Sequence, residues 1–533
     1  MQEDSSTIAI IGGGLAGLTL ALHIKQSVPL ASITIFERKK FPYPEATHKV
    51  GESTVELAAH YFSEVLGLRD HLQSAQLRKL GIRLFHTSGK NERIEERLEM
   101  GSDRHFSVPT YQIDRGRFEN HLAERVQQLG VTIVPDTKVT RTALATNEQR
   151  HTITYSHGGE DRAHSCRWLI DASGRAGILK RHLTMRETSE HDSNAVWFRI
   201  KGRIDIDTWN DDPRWREGHD GIHSRWYSTN HLTGNGYWVW LIPLASGYTS
   251  IGIVTDPKIH PLSRFRSYDD TLEWLREFEP QCAHELHKHG EEPADFLAIK
   301  HYAHKCSRVL SSDRWAITGD AGVFIDPLYS PGSDFIAIQN TFITDLITRD
   351  LSGQRFAGRC EAYNDIYEQI SESFLKTYLA QYPVFGNPRI MPLKVIWDYT
   401  IYWGFLAFVA IQERFCDFES LKVISESVMK LYARGEEMQT LLRNSNEKLT
   451  KPVSPGMLDI ARIPFLVELN RSMIIPRSDE EFLAALEQNV TIIEEVFLRI
   501  QAILESNPAM AWSSASELVE LFQDIQQPLS KAA

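Results

Sequence analysis

Six residues near the N-terminus carry the clearest chemical signal in this chain of 533 residues. The segment Gly12-Gly13-Gly14-Leu15-Ala16-Gly17 follows the β-branched apolar run 8–11 and precedes apolar residues at helical spacing. In this GxGxxG pattern Gly12 permits a tight turn, Gly14 lets the backbone approach a pyrophosphate, and Gly17 lets the helix pack on the strand. The helix N-terminus can then hold the phosphates. The segment therefore predicts a dinucleotide-binding site.

An acidic residue stands at the end of the next apolar run. The second strand is expected at 33–36, and Glu37 follows it. A carboxylate at this place suits the two ribose hydroxyls of an adenosine and repels a 2′-phosphate. Glu37 therefore favours FAD or NAD over NADP.

The bulk composition limits the class of protein. The chain has 58 basic and 70 acidic residues, a net charge of −12, which argues against a nucleic-acid partner. Five scattered cysteines without CxxC spacing suggest neither a disulfide framework nor a zinc site, and no metal is expected. The longest apolar stretch, 395–411, contains Asp398 and is shorter than a usual membrane span, so a buried helix is expected there. These observations fit a cytoplasmic protein without stable membrane insertion.

The periodicity predicts an α/β protein of two regions. A module over 1–355 is expected to bind the cofactor and to carry a substrate-facing β-sheet from about 75–112 and 190–300. Between two of its strands, the charged segment 91–103 is predicted to be a solvated excursion. Beyond 356 the pattern becomes helical and aromatic, and this C-terminal region, 356–533, is predicted to cover the substrate pocket.

Two further strand ends fit the same architecture as the glycine turn. They are Asp171-Ala172-Ser173-Gly174 and Gly319-Asp320-Ala321. In this order the three motifs resemble the flavoprotein monooxygenase superfamily. The resemblance implies FAD, a Rossmann-like domain of the glutathione-reductase and hydroxylase type, an inserted mixed sheet, and an arginine near the cofactor, here Arg117.

Two later motifs narrow the resemblance. The segment 236–243 contains W-x-W-x-I-P, with Trp238 and Trp240 on one face if it is a strand. The segment 324–332 matches F-x-x-P-x-x-S-x-G. Together they resemble the flavin-dependent halogenases, and the Asp-Pro form is closer to the phenol- and pyrrole-directed branch. A packed strand alone would also explain the tryptophans.

The same resemblance implies an essential lysine at the start of a strand, after a Gly-Glu-Ser segment and its helix. Lys79 occupies that place, after Gly51-Glu52-Ser53 and a helix expected at 55–66. Without the resemblance Lys79 would be taken for a solvated surface charge. A guanidinium such as Arg78 could not replace it, because it does not readily give up a proton or form a haloamine.

The mechanism implied by the resemblance uses reduced FAD from a separate flavin reductase, oxygen and a halide ion as co-substrate. The hypohalous acid travels to Lys79, which hydrogen-bonds it or becomes a haloamine, and the halogen reaches an electron-rich aromatic, either free or bound to a carrier protein. The cofactor-binding residues implied are Gly12, Gly14, Leu15, Ala16, Gly17, Glu37, Arg38, Gly51, Glu52, Ser53, Arg117, Val139, Asp320 and Ser333. Trp238, Trp240 and Ser330 are expected to separate substrate from flavin.

Two residues differ from the pattern of the tryptophan-directed branch, and they bear on the identity of the substrate and on the position of the halide site. Tyr329 stands where that branch has a glutamate, which argues against free tryptophan. The Asp-Pro form of the motif instead implies an aromatic substrate of the phenolic type. Pro331 lacks an N–H at one of the two halide positions. The halide is therefore expected at Gly332 and Ser333, at the positive end of the helix that begins there.

Three alternatives remain from the sequence. The leading one is an FAD monooxygenase that hydroxylates its substrate directly, which would not depend on halide. A flavin reductase of isoprenoid double bonds would share the glycine turn and would not need Lys79. A flavoprotein that only binds a carrier or partner is the third.

Overall fold

A computed structural model describes residues 4–45, 49–146, 148–216, 225–290, 292–505 and 512–525. The last residues of the C-terminal region, 526–533, and residues 217–224 of the substrate-facing region lie outside these ranges.

Most strands belong to two large sheets. The strands are β1 Asp4–Ile11, β2 Ile33–Phe36, β3 Leu77–Lys79, β4 Ile82–His86, β5 Leu98–Gly101, β6 Thr110–Gln112, β7 Thr132–Val134, β8 Thr137–Ala143, β9 His151–His157, β10 Glu160–Asp171, β11 Arg186–Thr188, β12 Asn194–Lys201, β13 Thr229–Gly234, β14 Tyr237–Pro243, β15 Tyr248–Thr255, β16 Asp295–Ile299, β17 His304–Cys306, β18 Trp315–Ile317 and β19 Gly456–Asp459.

The helices concentrate in the last third of the chain. They are α1 Leu15–Ser27, α2 Glu56–His60, α3 Arg69–Ala75, α4 Arg115–Gln128, α5 Ile178–His182, α6 Pro213–Arg216, α7 Tyr268–Phe278, α8 Pro280–His287, α9 Pro331–Leu351, α10 Ala357–Tyr378, α11 Met391–Ile401, α12 Ala407–Ile411, α13 Phe418–Ser445, α14 Pro464–Ser472, α15 Asp479–Glu505 and α16 Ala515–Glu520. A wider π-helical turn, Tyr61–Val65, extends α2, and another, Tyr402–Leu406, joins α11 to α12.

The first sheet is built on the predicted strand, turn and helix unit. Its order is β7-β2-β1-β10-β9-β8, with β18 also pairing β10. The strands β7, β2, β1, β10 and β18 are parallel, and α1 and α9 pack against one another beside them. Strands buried on both faces read as continuous apolar runs, which is why 8–11 is apolar at every position. The mixed α/β class predicted from the sequence is confirmed.

The second sheet has the order β16-β12-β15-β14-β13-β4-β5-β19. Side chains alternate between its two faces. Trp238, Trp240 and Ile242 on β14 join the main core, whereas Val239 and Leu241 join a smaller cluster under α7 and α8. The predicted one-sided placement of the two tryptophans on a strand is therefore confirmed.

The charged segment 91–103 is not the solvated excursion that we predicted. Its residues 98–101 form β5 inside the second sheet. Glu99 lies buried between the guanidinium groups of Arg83 and Arg225, and Arg97 forms a buried ion pair with Glu279 at 2.6 Å. Charges can enter a core when each is paired and hydrogen-bonded, and the distant partners supply that pairing.

The C-terminal region is helical, as predicted, but it also completes the second sheet. The strand β19 pairs in parallel with β5, so the region after 356 is not a separate helical cap. The continuous helix Met391–Ile411 has a length and hydropathy that would suffice to cross a membrane. Because 67% of an apolar 18-residue segment of this helix is buried inside the protein, the helix also fits the buried helix expected from the sequence.

Candidate active site

The glycine turn has the geometry that its sequence predicts. Gly12 has φ +111°, a region that favours glycine, and a Cβ there would lie 2.3 Å from the Ala172 carbonyl oxygen. A Cβ on Gly17 would lie 2.0 Å from the Gly12 carbonyl oxygen, so α1 can approach β1 only with glycine at this position. At Gly14 the nearest atom to an added Cβ is the Lys49 Nζ, at 4.0 Å. The turn is therefore tight on the protein side and open where a pyrophosphate would lie.

Glu37 lies beside this turn. Its carboxylate accepts hydrogen bonds from the backbone N–H groups of Gly13, at 2.6 Å, and Lys39, at 2.7 Å. These bonds orient the carboxylate at the end of β2, where ribose hydroxyls are bound in this architecture. Arg38 is exposed next to it, and Val139 lies half-buried on β8 opposite Tyr155.

The Gly319-Asp320 segment meets the glycine turn. A Cβ on Gly319 would lie 3.0 Å from the Cβ of Ala16. On α9, Asn340 donates to the carbonyl oxygen of Ala16 at 3.2 Å, and Gln339 accepts from the Gly319 N–H at 2.7 Å. Leu15 follows Gly14 as the first residue of α1 and is buried. The first and third cofactor motifs thus lie together, which fits FAD.

The arginine beside these motifs is Arg115, not Arg117. Arg115 donates to the carbonyl oxygens of Val50 and Gly51, and its charge opposes the effect of burial, which raises the pKa of Asp320. Arg117 donates to Glu45 and to the Ala75 carbonyl oxygen at 3.0 Å. The two side chains leave α4 about 200° apart, since each residue turns an α-helix by about 100°.

The residues of the Gly-Glu-Ser segment contact different parts of the protein. Gly51 has φ +87° beside Arg115. Glu52 is buried in an ion pair with Arg199, at 2.7 Å, so its carboxylate holds the segment against β12. Ser53 faces the other way, and its Oγ accepts from the Lys79 ammonium.

Lys79 is a core residue, not a surface charge. It is 2% exposed, and its Nζ donates to the Ser53 Oγ and the Thr54 carbonyl oxygen, both at 2.8 Å. Burial lowers the pKa of Lys79 to about 8, while the charges of Glu56 and Asp334 act in the opposite direction. A substantial fraction of this amine is therefore neutral in mildly alkaline solution.

Asp334 lies in the first turn of α9 and faces the same site. Its carboxylate accepts from the Ala58 N–H at 2.9 Å and from the Tyr402 hydroxyl at 2.7 Å. Burial raises the pKa of Asp334 to about 7 and also raises the pKa of Glu56. Two carboxylates that protonate readily thus adjoin Lys79.

Helix α9 connects the lysine site with the cofactor site. Asp334 interacts with Lys79 near the start of the helix, and Asn340 bonds the glycine turn. Six residues separate them, which corresponds to about 9 Å along the helix axis. One rigid element therefore sets the distance between the two sites.

The residues expected to bind halide precede Asp334. Tyr329 and Ser330 have φ of +66° and +58°, and α9 begins at Pro331. A Cβ on Gly332 would meet nothing within 4 Å, whereas Ser333 is 5% exposed. The helix start is therefore open at Gly332.

Asp326, within the second halogenase-like motif, anchors this turn. Its carboxylate contacts His191 at 2.7 Å, Tyr302 at 3.2 Å and Tyr382 at 2.6 Å. The indole N–H of Trp238 donates in turn to the Tyr382 hydroxyl at 3.3 Å. The tryptophan strand and the motif at 324–332 are thus joined through one carboxylate.

The two tryptophans form a buried aromatic wall. The rings of Trp238 and Trp240 lie 5.6 Å apart between centroids and are 1% and 5% exposed. Trp240 packs over Gly252, where a Cβ would lie 2.1 Å from its ring, and donates to Ser250 at 3.3 Å. His231 stands 5.3 Å from the Trp238 ring. Both indoles are therefore fixed in position.

An apolar cavity of about 640 Å³ lies among the C-terminal helices and reaches Glu56 and Asp334, the two carboxylates that act on Lys79. We call this cavity the helical chamber. Its floor includes Val55, Glu56, Tyr329 and Asp334, and its walls are formed by α10, the continuous helix α11–α12, and α13. Volumes of this size are typical of small-molecule sites. The C-terminal helices thus enclose an apolar cavity, and their covering of the substrate pocket stays a prediction.

Several residues of the site were not found from the sequence. They are the ionisable residues Arg115, Glu56, Asp334 and Asp326, which lie within or beside the motifs. An acidic residue in the first turn of a helix, as at Asp334, is also a common stabilising feature, so it gave no separate signal.

Comparisons with known proteins agree with this geometry. Residues 5–243 match the FAD binding domain family. The flavin-dependent halogenase chlA of Dictyostelium discoideum is 27% identical over 435 residues, covering 75% of this chain and 70% of that protein. A 1H-pyrrole-2-carbonyl-[peptidyl-carrier protein] chlorinase of Pseudomonas fluorescens is 26% identical, covering 62% of this chain and 73% of that protein.

The fold agrees as well. The crystal structure of halogenase PltM in complex with phloroglucinol and FAD has a TM-score of 0.61 at 15% identity, covering 97% of this chain and 96% of that one. The chain therefore contains an FAD-binding domain, its curated relatives include flavin-dependent halogenases, and its fold is that of a solved halogenase.

Proposed function

We propose that this chain halogenates an electron-rich, phenolic aromatic compound and that Lys79 delivers the halogen. The observation that carries the proposal is the buried Lys79 Nζ, held 2.8 Å from Ser53 Oγ and from the Thr54 carbonyl oxygen. The carboxylates that act on it, Glu56 and Asp334, line the helical chamber. Bound FAD, reduced by a separate flavin reductase and supplied with oxygen and halide, would provide hypohalous acid.

The residues of this chain then control where that acid reacts. The Lys79 ammonium can donate a hydrogen bond to the hypohalous oxygen. Its neutral amine can accept the halogen as the oxygen–halogen bond breaks, and the hydroxide leaves as water with a proton from the amine. Because its pKa is lowered to about 8, both forms exist near neutral pH. The aromatic wall of Trp238 and Trp240 is proposed to separate the substrate from the cofactor.

Asp334 and Glu56 are proposed to act on the substrate. Both carboxylates line the floor of the helical chamber. A phenol hydroxyl that donates to Asp334 would gain electron density on its ring, which favours attack on the halogen. The pKa of Asp334, raised to about 7 by burial, suits it to accept that proton.

The remaining assignments are also proposals. The halide is placed at Gly332 and Ser333, and the cofactor beside Gly14, Glu37, Arg115 and Asp320. A carrier-bound substrate is the second candidate, because one relative is named for a pyrrole attached to a peptidyl carrier protein. None of the five cysteines, all of which lie in described ranges, forms a disulfide, which supports a cytoplasmic site of action.

Mass spectrometry of reaction products tests the function. Wild type, Lys79→Ala and Arg78→Ala are each incubated with FAD, a flavin reductase, NADH and a panel of phenols, pyrroles and indoles, with and without bromide. Arg78 is the matched control, because it lies on the same strand but is exposed. We expect brominated phenol from wild type and Arg78→Ala, and none from Lys79→Ala.

Other products would support the rival functions. A mass gain of one oxygen that is indifferent to bromide and to Lys79 would identify a hydroxylase. Reduction of an isoprenoid double bond with unchanged turnover in Lys79→Ala would identify a flavin reductase. Either result would overturn the halogenase proposal.

A further inference from the structure

The helical chamber is much larger than a phenol ring requires. We infer that it binds an aliphatic chain on the substrate, so that the substrate is an alkyl- or acyl-substituted phenol with its ring on the chamber floor. This inference rests on the proposed function and adds the class of substituent that the ring carries.

The groups that could bind a phenolic ring lie together on the floor of the chamber. At the floor, the carboxylates of Glu56 and Asp334 stand with the Tyr329 hydroxyl, which donates to Asp398 at 3.0 Å. These groups can hydrogen-bond phenolic hydroxyls. A ring bound there would contact the two carboxylates that act on Lys79, which is the side of the chamber from which the halogen is proposed to arrive.

The walls away from the floor include the charged residues Glu419 and Lys422, but most of the surface that lines the chamber is apolar. They include Ile366, Ile370 and Phe374 on α10, and Ile424, Val428 and Leu431 on α13. The α10 wall extends from Ala362 to Thr377, about 22 Å along the helix axis. A single ring on the floor would leave most of this apolar surface without contact, a state that is unfavourable for a cavity of this size.

Several polar groups on the walls already have partners. Lys376 pairs with Glu436 at 3.2 Å, and Gln439 donates to Asp398 at 2.9 Å. The Thr377 hydroxyl donates to the Ser373 carbonyl oxygen at 3.1 Å, and the Ser425 hydroxyl donates to the Lys422 carbonyl oxygen at 2.8 Å. A carrier-protein arm contains amides that need hydrogen-bond partners when they are buried. The chamber is therefore better suited to a hydrocarbon chain than to such an arm.

The chain-length dependence of binding tests the inference without any variant. Phenol, 4-ethylphenol, 4-butylphenol, 4-hexylphenol and 4-octylphenol are titrated into the FAD-loaded wild-type protein by isothermal titration calorimetry. Each methylene that leaves water should lower Kd roughly fourfold until the chamber is full. Equal Kd values along the series would overturn the inference, and so would binding that requires a carrier-tethered phenol.

Two tryptophan variants on α13 test where the aliphatic group of the substrate binds. Val428 lines the chamber, whereas Val423 lies on the same helix, is 62% exposed and does not line it. Val428→Trp should raise the Kd of 4-octylphenol at least tenfold and leave that of phenol unchanged, and Val423→Trp should change neither. Ile370→Trp fills the chamber from α10 and replaces Val428→Trp if that variant does not fold. Filling variants that bind 4-octylphenol as wild type does would contradict the placement.

Bromination of the same compounds, measured by mass spectrometry, separates this inference from the proposed function. Brominated phenol together with equal Kd values along the series would support the proposed function and contradict the proposed binding site for the aliphatic group. Kd values that fall with the length of the alkyl group, without any brominated product, would refute the proposed function. They would also refute the inference, because it assigns the aliphatic group to a substrate of halogenation.

Discussion

Replacing Lys79 with methionine should reverse the order of stability between the wild type and the variant as the pH rises. Methionine keeps the length of the lysine stem but removes the amine. The amine is 2% exposed and is bonded to the Ser53 Oγ and the Thr54 carbonyl oxygen. The charged groups that face it are Glu56 and Asp334.

The expected difference in the free energy of unfolding follows from the pKa of Lys79, which burial lowers from 10.5 to about 8. At about 1.4 kcal/mol per pH unit, the buried ammonium destabilises the folded state by about 3 kcal/mol at pH 7. This cost falls to about 1 kcal/mol at pH 10, because the folded state binds fewer protons than the unfolded state between pH 8 and 10.5. The two lost hydrogen bonds stabilise the wild type by about 1 kcal/mol each at either pH.

The variant is therefore expected to be about 1 kcal/mol more stable than the wild type at pH 7 and about 1 kcal/mol less stable at pH 10. In a chain of this size that difference corresponds to about 1 °C in Tm at each pH, which differential scanning calorimetry resolves. Arg78→Met, on the exposed face of the same strand, is the control and should show no such reversal.

A variant that is less stable than the wild type by the same amount at both pH values would refute this reasoning. It would mean that Lys79 keeps an ordinary pKa inside the protein. The proposed dual use of its ammonium and amine forms near neutral pH would then lose its physical basis.

Three further substitutions test the rest of the site. Gly17→Ala places a Cβ against a backbone carbonyl and should abolish FAD retention on gel filtration, whereas Gly358→Ala, which meets nothing within 4 Å on α10, should retain FAD as wild type does. Arg115→Ala should weaken FAD binding at least tenfold in a fluorescence titration and Arg117→Ala less than twofold; the reverse order would show that the assignment by proximity to Asp320 is wrong. Asp326→Asn weakens the contacts of three buried side chains and should destabilise the protein by about 3 kcal/mol, seen as a lower Tm; an unchanged Tm would remove Asp326 as the anchor of the turn.

The sequence was most informative where function depends on spacing along one strand or turn. The order of the glycines fixed the turn, because Gly12 and Gly17 sit where a Cβ would collide with backbone. The alternation of Trp238 and Trp240 placed both rings on one face of β14, because side chains on a strand repeat every two residues. These features are local and need no knowledge of the rest of the chain.

The sequence was least informative about side chains whose role depends on distant partners. Two arginines two residues apart on α4 point in different directions, so only the position of Gly51 and Asp320 decides that Arg115 faces the cofactor motifs. Part of the charged segment 91–103 lies in the second sheet because its charges are paired by residues distant in the sequence. Glu99 pairs with Arg225, and Arg97 pairs with Glu279.

The sequence by itself thus determined the cofactor turn and the α/β class. It placed Lys79 at the start of a strand, whereas Lys79 is the last residue of β3. Only the tertiary structure decided that Lys79 is buried beside Glu56 and Asp334, and that the C-terminal helices enclose a chamber above them. The physical reason is that a pKa and a cavity both depend on every element that excludes water from one place. Those elements come from segments hundreds of residues apart, and their meeting point is a property of the packed chain.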